Sequence, residues 1–136
     1  MNTPVDQLNR LCSQYDIVLL YAFGSRGQSA SQFLSTGEPM PPGESDLDVG
    51  ILTGRPLSVG EKAVFSLALE TLFGVPRVDL VILSAADPFL TANIIRGERL
   101  FARDAYQADE YELYILRRAG DLAPFERQRL DLILRK

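Results

Sequence analysis

The chain has 136 residues, 46% of them apolar and 24% charged, with a net charge of −4 and no histidine. That length holds one domain with a true hydrophobic core, and the acidic balance argues against direct binding to long nucleic acid. Cys12 is the only cysteine, so an internal disulfide, a Cys/His zinc site and a Ser-His-Asp or Cys-His centre are excluded, which leaves a carboxylate, Lys or Tyr as general base and oxygen ligands for any metal.

Thr3-Pro4-Val5-Asp6 reads as a helix start, with Thr3 as N-cap, Pro4 at the first position and Asp6 three residues after the cap. Leu8, Leu11, Cys12 and Tyr15 follow at helical spacing. Residues 17–23 are a continuous apolar run, the mark of a strand buried on both faces, and the run stops at Gly24-Ser25. A short helix is expected over 26–33. Residues 34–45 hold Gly37, Pro39, Pro41, Pro42 and Gly43 and read as a surface loop. Strand character returns over 46–53. Ser58 and Glu61 make a capping box, opening a helix to about Phe73 with Val64, Leu67, Ala68 and Leu72 inward. Residues 78–83 read as another buried strand. Ser84 and Asp87 open a further helix, which Gly97 closes, and Leu100-Phe101 reads as a short strand. Asp104 caps a helix through about Ala119, Gly120 ends it, and a last helix is expected over 122–135.

Strands alternating with helices predict an α/β fold: a small mixed central sheet flanked by helices, with C-terminal helices after it. Residues 1–104 are expected to form the domain and 105–136 a helical extension of it. That extension carries Tyr106, Tyr111, Leu113, Tyr114 and Ile115, then Leu122, Phe125, Leu130, Ile133 and Leu134. Such a face is buried either on the chain's own sheet or on a partner. Arg96, Arg99, Arg103, Arg117, Arg118, Arg127, Arg129, Arg135 and Lys136 crowd the last third, as a solvated helix face or as a stripe for an acidic partner. No run of about 18 apolar residues exists and Met1-Asn2-Thr3-Pro4 lacks signal-peptide character, so a cytoplasmic protein is expected.

Three clusters carry chemistry. Phe23-Gly24-Ser25-Arg26 ends a strand; glycine admits a phosphate close to the backbone, and a helix starting at Ser25 aims N–H groups at an anion. The Ser25 hydroxyl and Arg26 guanidinium add phosphate donors. The same residues also suit a plain strand-to-helix turn. In Ser45-Asp46-Leu47-Asp48, the two acids share one face of a strand with Cβ atoms roughly 6–7 Å apart, so both reach one cation. Two solvated acids there are also cheap, repelling by under about 1 kcal/mol in water. Asp79 lies inside an apolar strand, where a carboxylate must be paired, protonated or metal-bound. A salt bridge to a distant arginine is the structural alternative. Together, three acids on two neighbouring strands facing a glycine turn describe a site for in-line attack on a phosphate, with room for two metal ions.

These segments, with Val78-Asp79-Leu80 and Asn93-Ile94-Ile95-Arg96-Gly97-Glu98-Arg99-Leu100-Phe101, resemble the minimal nucleotidyltransferase (MNT) branch of the DNA polymerase beta-like superfamily. The resemblance implies that Gly24 and Ser25, with Arg26, bind the triphosphate of ATP. It implies that Asp46 and Asp48 ligate Mg²⁺ and that Asp79 is the third acid. It further implies an antitoxin held in a hetero-oligomer with a HEPN ribonuclease toxin, silenced by transfer of AMP to one of its tyrosines. The alternatives are an antitoxin acting by contact alone and a transferase for a small molecule such as an aminoglycoside. One departure stands out: Gly-Ser and the first Asp are closer in most of the family than the twenty residues from Arg26 to Ser45 allow.

Overall fold

The computed structural model describes residues 2–43 and 45–134, with the side chains of Glu126, Leu130 and Leu134 outside that description. Arg135 and Lys136 of the expected basic stripe, the first of them also the end of the expected last helix, therefore lie outside the described residues. Capping residues start the helices as the sequence predicts. Thr3 closes a capping box with Asp6 and begins α1 (Pro4–Gln14). Ser58 does the same with Glu61 for α3 (Val59–Phe73). Asp87 accepts from the N–H groups of Phe89 and Leu90 to begin α4 (Pro88–Ile95), whereas Ser84, expected to open the same helix, lies in a separate 3₁₀ turn over Leu83–Ala85. Between them run β1 (Ile17–Phe23), a 3₁₀ turn over Gly24–Arg26, α2 (Gly27–Thr36), β2 (Leu47–Thr53) and β3 (Val78–Ile82). β4 (Glu98–Ala102) follows α4, and α5 (Ala105–Leu134) ends the description.

The four strands lie in the order β3-β2-β1-β4. β1 runs antiparallel to both its neighbours, whereas β2 and β3 are parallel, joined through α3. The sheet is therefore mixed and covered on both faces, the α/β fold that the sequence predicts. One core joins Leu8 and Cys12 of α1, Ala30 of α2 and Phe65, Leu69 and Phe73 of α3 to one sheet face. A second joins Ala92, Ile94 and Ile95 of α4 and Ala108, Ile115 and Ala119 of α5 to the other. β1 is the central strand, and its unbroken apolar run follows from that double burial.

Several expectations need correction. On α3, Val64 and Leu67 are exposed, Ala68 and Leu72 are half-buried, and Phe65, Leu69 and Phe73 face the sheet. α3 is apolar on most sides, so helical spacing offers two adjacent stripes and only packing chooses between them. Residues 105–134 form one helix of 30 residues: Gly120 does not end it, and Pro124 sits inside it. A helical glycine costs only about 1 kcal/mol, and Pro124 lacks the N–H that would bond the carbonyl of Gly120 four residues earlier. β3 is an edge strand rather than a buried one, and Asp79 is exposed on it. The first short helix runs three residues further than predicted, to Thr36, where Gly37 at φ 79° turns the chain. The following loop is tied down: Met40 is buried in the first core.

The start of α5 is locked to the sheet. The buried Tyr21 hydroxyl donates to Glu112 at 2.5 Å, and Arg99 bridges Glu112 at 3.0 Å and Asp109 at 2.9 Å. Burial and then the Glu112 carboxylate push the Tyr21 hydroxyl far above its usual titration range. The turn from α4 into β4 is equally tight. A Cβ at Gly97 would lie 2.6 Å from the Ala22 carbonyl oxygen and 3.0 Å from the Phe23 Cβ. Gly97→Ala is accordingly expected to destabilise the fold by about 1–3 kcal/mol, as overpacking does. Thermal melts read this directly; an unchanged melting temperature would show the junction to be loose.

Candidate active site

The topology brings the three clusters to one end of the sheet. β1 ends where β2 begins, because the two are antiparallel, and Phe23 pairs with Asp48. β3 begins beside β2, because those two are parallel, and Asp48 pairs with Asp79. Directly paired residues on a ladder share a face, so Asp48 and Asp79 project together. Gly24 follows Phe23 at φ 72°, a left-handed conformation that suits glycine. It is also pressed against the acid: a Cβ there would lie 2.5 Å from Asp48 Oδ2. Two places along β2 from Asp48, Gly50 leaves room for Ile94 of α4, whose Cγ2 would sit 2.7 Å from a Cβ at that position. The acids thus lie on the α4/α5 face, just past the point where α4 covers the sheet.

Asp46 sits immediately before β2, where the Leu47 N–H donates to the Arg77 carbonyl at 3.0 Å. That places Arg77 beside Asp46, with Nε 3.7 Å from Oδ2. Both side chains are well exposed, so the pair is weak. Asp48 and Asp79 have no ion pair among the described residues. Partial burial raises the Asp48 carboxyl above the ordinary carboxylate range, and the charges of Asp79 and then Asp46 push it the same way. Asp48 therefore feels the other two acids, one of them across the two strands. Among the described residues, no three acid or thiol side chains are drawn together tightly enough to hold a metal ion as they stand. The donor set itself, three carboxylates and no nitrogen or sulfur, suits a hard cation such as Mg²⁺.

Gly24 and Ser25 are exposed at the mouth of a cavity of about 260 Å³, lined also by Gln28, Arg96, Gly97 and Glu98. Arg26, expected to reach a phosphate, is buried and turned the other way. Its guanidinium donates to the carbonyl of Ser45 at 3.2 Å and to that of Pro41. It clasps the loop that delivers Asp46, so its part in this arrangement is positional. The sequence reading missed Arg77 and Arg96. Arg77 carries no local signal: it lies just before β3, and its partner Asp46 lies just before β2. Arg96 carried one signal, its place beside the glycine that closes α4.

The raised Asp48 carboxyl has a stability consequence. The folded chain holds that proton more tightly than the unfolded chain, so stability falls as pH rises through and above the ordinary carboxylate range. In metal-free protein, Asp48→Asn should therefore raise the melting temperature at neutral pH, and the gain should shrink as pH falls below that range. A gain that is absent at neutral pH, or equal at both ends of the titration, would contradict the repulsion.

The sequence profile of the polymerase beta nucleotidyltransferase family matches residues 6–106. No curated protein matches the chain. Solved structures share its fold. A chain of a toxin–antitoxin structure with AMP-PNP superposes with a TM-score of 0.70 at 18% identity, covering 96% of this chain and 98% of that one. A chain of the tri-AMPylated Shewanella oneidensis HEPN toxin in complex with MNT antitoxin gives 0.67 at 17% identity, covering 96% of each. A chain of the MntA-HepT toxin–antitoxin structure gives 0.67 at 16% identity, covering 96% of this chain and 97% of that one. These likenesses are of fold, and they extend beyond residue 106 into α5. The matched span of 6–106 takes in every strand, the Gly24-Ser25 turn and all three acids: the chain belongs to the polymerase beta nucleotidyltransferase family.

Proposed function

We propose that this protein is a Mg²⁺-dependent nucleotidyltransferase that acts as the antitoxin of a HEPN ribonuclease, transferring AMP from ATP to a tyrosine of that toxin. One observation carries the reading: Asp48 stands in register with Asp79 on one side and with Phe23, next to Gly24-Ser25, on the other. The AMP-PNP and AMPylated toxin named in the structures of like fold support the choice of nucleotide and partner. The net charge of −4 favours a protein acceptor over nucleic acid. No described helix is long and apolar enough to cross a membrane, and a cytoplasmic complex of antitoxin and toxin is the proposed setting.

The residues divide the work. Gly24 admits a phosphate to the backbone, and the Ser25 hydroxyl donates to it. Asp46, Asp48 and Asp79 would hold Mg²⁺, which when bound offsets the charge of the acids and the triphosphate. Asp79, exposed and without an ion pair among the described residues, accepts the proton of the attacking tyrosine hydroxyl. The tyrosine oxygen bonds to the α-phosphorus as the bond to the bridging oxygen breaks, and pyrophosphate leaves. Asp79→Asn removes that base without adding bulk. With ATP labelled at the α-phosphate, the wild type should label the toxin only when Mg²⁺ is present, and Asp79→Asn should slow transfer about a hundredfold or more. Wild-type labelling by the variant would sink the assignment.

A second reading, inhibition by contact alone, draws on α5. Past its anchored first turns, Phe125, Leu132 and Ile133 are exposed, as are Leu113 and Tyr114 nearer the domain. Exposed aromatic and aliphatic residues on one projecting helix suit a protein partner. Removing residues 121–136 should leave the melting temperature nearly unchanged and abolish toxin binding. Unfolding on removal would assign the segment to the core instead.

A further inference from the structure

Binding a triphosphate at this end of the sheet sets an electrostatic problem. The ligand's charge meets Asp46, Asp48 and Asp79, and metal at the acids offsets only the part nearest them. The phosphates that lie away from the acids need a cation supplied by the chain itself. Two arginines nearby are already engaged: Arg26 is buried on loop carbonyls, and Arg77 lies against Asp46. The cavity that opens beside Gly24 and Ser25 has one cationic lining residue, Arg96. Arg96 is exposed at the C-cap of α4, and its side chain has no hydrogen bond or ion pair among the described residues.

The wall that holds it is rigid. Gly27 and Gly97 line the same cavity, and a Cβ on either would come within 3.1 Å and 2.6 Å of the Ala22 carbonyl oxygen. The backbone carrying Arg96 is thus packed directly on the end of β1, the strand that delivers Gly24. Glu98 also lines the cavity and repels phosphate, so the anion belongs on the side of Ser25 and Arg96. Resting on the nucleotide reading above, we infer that Arg96 is the protein's own cationic anchor for the terminal phosphates of the bound triphosphate. A free guanidinium binds phosphate through a fork of N–H donors, stronger than the neutral donors of Ser25 and Gln28.

The rival role for Arg96 is electrostatic support of the C-terminal end of α4, which leaves nucleotide affinity untouched. Calorimetric titration with AMP-PNP in Mg²⁺ separates the two, using wild type, Arg96→Ala and Arg96→Glu, each checked by thermal melt. A phosphate anchor requires affinity to fall about tenfold or more in Arg96→Ala and further in Arg96→Glu. Equal affinity in wild type and Arg96→Ala, or no further loss in Arg96→Glu, overturns the inference while leaving the nucleotide reading in place. A wild type that binds no AMP-PNP at all brings down both.

Discussion

The sheet end is organised by one close approach: the backbone of Gly24 against the carboxylate of Asp48. It requires that β1 be central, antiparallel to β2 and in the register that sets Phe23 opposite Asp48. A one-residue slip would send Asp48 to the α1/α2/α3 face, into the larger core. The same slip would bring Leu47 and Val49 out beside the turn. The hydrophobic pattern of β2, with Leu47, Val49 and Ile51 all buried, therefore also fixes where the acid points. Core packing and site geometry are one constraint here.

The two ends of β1 make an instructive pair. At the far end, Gly54 is pressed against Asp16 much as Gly24 is pressed against Asp48. Asp16 is answered by Arg103 at 2.7 Å, which ties the start of β1 to the chain just after β4. Asp48 has no such partner among the described residues, and the charges that act on it are those of two more acids. A structural carboxylate is expected to look like Asp16, since leaving a partly buried charge unpaired is unfavourable. The arrangement at Asp48 is destabilising for the chain alone and makes sense when something positive completes it. That contrast between the two ends of the β1/β2 pair is a stronger argument for a cation-dependent site than the Asp-x-Asp spacing, which polar strand ends often show.

What the sequence disclosed follows the range of the forces involved. Capping boxes at Thr3 and Ser58 act over three residues, so they were readable locally, as was β1, whose burial on both faces leaves a composition no other element has. The clustering of Gly24-Ser25, Asp46, Asp48 and Asp79 was legible because those residues sit at strand ends, which any sheet of this order gathers. Three features were not legible. The stripe of α3 that faces inward depends on how that helix lies on the sheet. The exposure of Asp79 depends on β3 being an edge strand, a fact of topology rather than of its own apolar neighbours. The direction of Arg26 depends on carbonyls 15 and 19 residues away, at Pro41 and Ser45. Arginine beside a glycine-serine turn looks like a phosphate ligand until the loop it holds is seen.

The loop also answers the long spacing before Asp46. Ten residues of α2 take up half of it, and Met40 anchors the rest in the core. An insertion held by a buried methionine at one point and by a buried arginine at two carbonyls is part of the domain rather than a strand of slack chain. Arg26 is committed to holding it. On the nucleotide reading proposed above, a charge facing the phosphates would then come from another element. α2, the end of α4 and the start of β4 all line this cavity at the end of β1, and among its lining residues Arg96 is the cation. The proposed role of Arg96 thus follows from where the loop holds Arg26: one arginine is fixed on carbonyls away from the cavity, and the other lines it beside the same turn.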